Sequence, residues 1–165
     1  MMIGHLTPTA LIELVELGMA SLVEKCKLDR NYGYFTVMDT AALGRIKLIC
    51  EIGVCPPEKA EKYRTFSQEK AVRLFVNSAH DTSWQTRNPG ENKWAGAVRA
   101  GSLIFSFSGL PELDDEALMT FVASQAGLID RFKVIEIASI SRNKHIYDIL
   151  SEQTRGWFSV DSPVA

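Results

Sequence analysis

The chain lacks a surplus of charge of either sign: 18 basic side chains face 20 acidic ones, for a formal net charge of -2. Nucleic-acid binding needs a clustered basic surface to neutralise phosphates, and the longest basic-rich stretch is only Arg142-Asn-Lys-His145, so no nucleic-acid partner is expected. Cysteine is scarce as well. Cys26, Cys50 and Cys55 are an odd set with no CxxC and no histidine at zinc-finger spacing, so no metal site is expected. Cys50 and Cys55 lie close enough to meet across a turn, but three scattered thiols fit a reducing, cytoplasmic setting better than a disulfide framework. No apolar run approaches the ~20 residues that cross a bilayer, and the first residues have no basic n-region, so neither a membrane partner nor a signal peptide is expected. Also missing are GxSxG, the P-loop, GxGxxG after a strand and HExxH, so no catalytic residue can be named and no reaction assigned.

What is present is ordinary globular chemistry. Of the 165 residues, 46% are hydrophobic and 23% charged, which suits one domain burying roughly two-thirds of its unfolded surface. Thr7-Pro8 reads as an N-cap and a first-position proline opening an amphipathic helix to about Lys25, with Leu11, Leu14, Val15, Leu22 and Val23 on its apolar face. Residues 34–38 and 45–51 read as the strands of a hairpin turned by residues 39–44. A short polar helix over 58–64 is followed by an apparent capping box, Thr65-Phe-Ser-Gln68, opening a helix toward His80. That second helix shows Ala71, Leu74 and Phe75 on its apolar face and Lys70 and Arg73 on its polar one. Residues 81–93 have no periodicity and contain Asn88-Pro-Gly90, a long loop of the kind that carries function.

A second hairpin follows over 95–108. The chain then passes through Ser108-Gly-Leu-Pro111 into a helix that Asp114 or Asp115 caps and Gly127 closes. Beyond it, residues 132–140 read as a strand and 143–152 as a helix. Two hairpins joined by tight turns, with helices between, predict an α+β fold with an antiparallel sheet of four to five strands.

Val37-Met-Asp39 with Gly44, Ser67-Gln-Glu-Lys-Ala71, Gly96-Ala-Val98 and Ser108-Gly-Leu-Pro111 with Asp115-Glu-Ala117 occur in an order and spacing that resemble the GlcG/HbpS-like family. The resemblance runs from about Thr7 to Gly127. It implies a profilin-like fold, frequent homo-oligomers and small-molecule binding, with haem the ligand of some members. It divides the chain into a ligand-binding domain over 1–127 and an extension over 128–165, packed on the same domain or on a partner subunit.

Six residues are candidate ligand contacts. Ser108 and Gly109 precede a helix N-terminus, where free amides hold anions; the alternative is a turn that Pro111 and Asp114 merely organise. Arg73 and Arg99 suit a carboxylate if the helix after Thr65 crosses the second hairpin; otherwise they are surface arginines. His80, at a helix end, suits haem iron or a proton shuttle, or only the helix dipole. Trp94, with Trp84, walls a pocket or clamps the loop. His5 and His145 have no ligand set nearby in sequence. The first reading is a binding protein for a small organic anion or a tetrapyrrole. Its alternatives are an enzyme of small organic acids using His80 with Arg73 and Arg99, or a homo-oligomeric assembly subunit.

Overall fold

The computed structural model of the chain describes Ile3 and residues 5–151. Helix α1 (Pro8–Lys25) opens where expected, with the Thr7 hydroxyl accepting from the Ala10 N–H at 3.1 Å. The first hairpin is β1 (Gly33–Asp39) and β2 (Arg45–Ile52); the second is β3 (Ala97–Ala100) and β4 (Leu103–Ser108). Both join one antiparallel sheet in the order β2-β1-β4-β3, so the two hairpins meet along β1 and β4.

Period-two alternation divides the sheet into two unlike faces. Phe35, Val37, Phe105 and Phe107 point to one side and join α1, α3 (Glu112–Gln125), α4 (Arg131–Ser141) and α5 (Lys144–Ile149) in the main core. At its centre the Phe35 and Phe105 rings meet edge to face, 5.8 Å between centroids. On the other side Met38, Ala97 and Ile104 receive Ala71 and Leu74 of α2 (Pro57–Val76) in a smaller cluster. That second face also carries hydroxyls: the Thr36 and Ser67 Oγ atoms stand 2.8 Å apart, fully buried.

Three local expectations are corrected. Residues 58–76 form one continuous helix, because nothing between Arg64 and Thr65 interrupts it. Pro57 sits at the first helical positions, and Gln68 donates its side-chain amide to the Arg64 carbonyl instead of closing a box with Thr65. Residues 132–140 are helical rather than a strand. Val134, Ile137, Ala138 and Ser141 make a buried stripe at helical spacing, and Asp130 caps the start through the Lys133 N–H at 2.9 Å. The β-branched content of that run misled, since it is the spacing of the buried positions that decides. The third helix begins at Glu112 behind Pro111 with no side-chain cap, leaving Asp114 and Asp115 for other partners.

The segment after Gly127 packs on the body: α5 lies against α3 and α1, and α4 against α3. Expectations for residues 152–165 lie outside the described residues. No helix among the described residues is long and apolar enough to cross a membrane. All three cysteines are free, and burial pushes the Cys50 and Cys55 thiols up to about 11. Phe105→Ala is expected to cost about 3–5 kcal/mol of unfolding free energy in urea titrations, because the ring is fully buried between the two hairpins and the helical layer.

Candidate functional site

Residues spaced four apart on α2, Lys62, Phe66 and Lys70, share one face of that helix, which turns toward the end of β4. Opposite them stand Ser108, Leu110 and Pro111 at the β4–α3 turn, Asp115 on α3 and Trp94 from the long loop. Arg30 and Tyr63 complete the mouth. Together they line a cavity of about 420 Å³.

Its floor is an ion pair. The Lys70 ammonium lies 2.9 Å from the Asp115 carboxylate and 2.9 Å from the Phe107 carbonyl, with both side chains only 2% exposed. The other Asp115 oxygen accepts from the Leu110 N–H at 3.0 Å. Burial pushes the Asp115 carboxyl up, to about 6, against the pull of the ammonium and the amide. Gly96 makes room for the pair: a Cβ there would stand 2.8 Å from Lys70 Nζ and 2.9 Å from Asp115 Cβ, on a backbone at φ +134°. Gly109 is equally constrained, since a Cβ would meet the Tyr32 carbonyl oxygen at 2.3 Å.

Of the six candidate contacts, Trp94 and Ser108 line the cavity, and Gly109 shapes the turn beside it. Arg73, His80 and Arg99 do not converge on it. Arg73 is buried and fully engaged: it pairs with Glu69 at 2.7 Å and donates to the Ser83 carbonyl, the Thr86 hydroxyl and the Trp94 carbonyl. Arg99 donates to the carbonyls of His80, Leu74 and Asn77, closing the C-terminal end of α2. The Arg73 guanidinium therefore fastens the 81–94 segment, while that of Arg99 holds the turn between α2 and that segment and borders a separate cavity of about 340 Å³ beside Asp81 and Lys133. His80 keeps a buried Nδ1 without a hydrogen-bond partner among the described residues, away from the cavity. The enzyme reading, which needed these three in one cleft, loses its geometry.

The tryptophans divide their roles. The Arg87 guanidinium lies between them, 4.8 Å from the Trp84 ring and 6.0 Å from the Trp94 ring, and donates to Glu112 at 2.6 Å. Glu112 also accepts from the Ala95 N–H. Trp84 is thus a clamp, while Trp94 is both clamp and cavity wall.

Two further clusters were not read from the sequence. Glu116 is buried without a cation, accepting from the Thr82 and Ser141 hydroxyls and from Asn143 Nδ2; burial raises its carboxyl, and these donors oppose the rise. His145, which has no ligand set nearby in sequence, places Nδ1 2.7 Å from the buried Asp114 carboxylate, and the Cys26 sulfur lies within 4.8 Å of a donor atom of each. Burial and then the Asp114 charge raise the Cys26 thiol, which disfavours a thiolate nucleophile.

Comparison with protein-family models, with curated proteins and with solved structures yields no match.

Asp115→Asn is expected to cost about 3–5 kcal/mol, measured by urea unfolding, because it strands the Lys70 charge in the interior. Combining Lys70→Met with Asp115→Leu should recover most of that loss. Arg73→Met is expected to leave the Ser83 and Trp94 carbonyls unpaired, and limited proteolysis should then cut within residues 81–94 while the native chain resists.

Proposed function

We propose that this chain is a small-molecule-binding protein of the GlcG/HbpS-like type whose ligand is an organic anion with an apolar or aromatic body. The observation that carries the reading is the charge balance inside the cavity. The two carboxylates on its wall are already held, Asp115 by Lys70 and Glu112 by Arg87. Among the described residues, no further carboxylate lines the cavity to answer the charges of Arg30 and Lys62. Arg30 stands 3.9 Å from the exposed Asp29, donates to the Tyr63 phenol at 3.3 Å, and acts on the buried Asp114 carboxylate, which lies outside the cavity lining.

A bound carboxylate would meet these cations at the mouth of the cavity, beside the β4–α3 turn. Trp94, Tyr63 and Phe66 would cover its apolar part, the usual division of labour in small-molecule pockets. The sequence resemblance, which runs through the same β4–Gly109–α3 turn, points the same way. A tetrapyrrole is supported less: among the described residues no histidine or cysteine lines the cavity, and His80 lies elsewhere.

The test is a thermal-melt panel of aryl carboxylates, aliphatic hydroxy acids, haemin and the neutral amide of each aryl acid. An aryl carboxylate should raise Tm by mass action, its amide should not, and Arg30→Gln with Lys62→Gln should abolish the shift. A panel in which no anion moves Tm at high excess, or in which acid and amide act alike, overturns the assignment.

A further inference from the structure

We propose that Cys26, Asp114 and His145 form a mononuclear binding site for a zinc-class divalent ion. The three residues are remote in sequence and come from three helix ends. Cys26 caps the C-terminus of α1, its N–H donating to the Leu22 carbonyl at 2.8 Å. Asp114 lies in the first turn of α3, and His145 in the first turn of α5. One donor atom from each lies within 4.8 Å of the others.

Placement of the imidazole is not left to the histidine alone. Asn143 donates to the Leu113 carbonyl at 2.7 Å and to Glu116 at 3.0 Å, while its own oxygen accepts from the His145 N–H at 3.1 Å. The start of α5 is therefore pinned to the start of α3, and the ring is held over Asp114.

The donor set selects the ion. One sulfur, one imidazole nitrogen and one carboxylate oxygen suit zinc or cobalt, whereas calcium and magnesium require a shell of oxygens. Tetrahedral bonds of ordinary length set such donors about 3.4–3.6 Å apart. In the metal complex the ion displaces two protons to solvent, one from the Cys26 thiol and one from the His145 Nδ1–Asp114 contact, which widens from 2.7 Å as the sulfur is drawn inward. Because Asp114 is buried while Cys26 and His145 are each part-exposed, the ion enters from the side of the thiol and ring. Water takes the fourth position, as in zinc sites with three protein ligands.

The experiment uses the untagged full chain, stripped with a chelator and titrated with Co²⁺, then Zn²⁺. The expected result is saturation at one equivalent, with a thiolate-to-cobalt absorption in the near ultraviolet that Zn²⁺ abolishes. Cys26→Ser should lose that absorption, His145→Gln should weaken affinity by at least about tenfold, and Cys50→Ser should leave both unchanged. Absence of the near-ultraviolet band in the native chain overturns the site, as does an unaltered band in Cys26→Ser. Should Cys26→Ser prove unfolded by circular dichroism, His145→Gln decides by the same readout, since its part-exposed ring carries little of the packing.

Discussion

The pairing of Lys70 with Asp115 is the constraint on which the rest of the arrangement depends. Helix α2 covers one face of the sheet and α3 the other, and a side chain from each meets around the end of β4. An ammonium and a carboxylate withdrawn from water are costly unless every remaining hydrogen-bonding position is used. Here the Phe107 carbonyl and the Leu110 N–H supply those positions, and the bare backbone of Gly96 leaves the space. The result fixes the distance between layers that share little apolar contact, and it places a charged floor beneath the cavity.

The start of α3 organises its surroundings in several directions at once. Glu112, Asp114, Asp115 and Glu116 advance by about 100° per residue, so four carboxylates cannot point the same way. Glu112 reaches Arg87 and closes the long loop; Asp114 reaches His145; Asp115 reaches Lys70; Glu116 gathers Thr82, Ser141 and Asn143. A run that composition alone presents as a solvated acidic cluster is the junction of the loop, the sheet end and the last two helices.

Much of the architecture was legible in the chain, and the failures have physical causes. Thr7-Pro8 and the alternation along both hairpins announced their elements, because local caps and a half-buried pleat leave strong periodic marks. The site was legible in part. Ser67, Lys70, Ala71 and Leu74 recur at helical spacing, so Lys70 falls within the buried stripe, and a lysine there demands an acidic partner. Its charge alone assigns it instead to the polar face. Arg73 and Arg99 are candidate ligand contacts by sequence because guanidinium groups suit carboxylates; they suit backbone carbonyls equally, and which they meet depends on tertiary placement. The Cys26–Asp114–His145 cluster left no trace in spacing, since its members converge only once α5 docks on α1 and α3.

The manner in which residues 81–94 are fastened has a consequence for how such a protein diversifies. Arg73 grips the main-chain oxygens of Ser83 and Trp94 within the segment, and Arg99 those of His80, Leu74 and Asn77 just before it, which every amino acid supplies. A fastening that ignores side-chain identity tolerates exchange of the residues it holds. Asn92, which looks into the cavity, is thereby free to drift toward new ligands while the strap it rides on stays buckled.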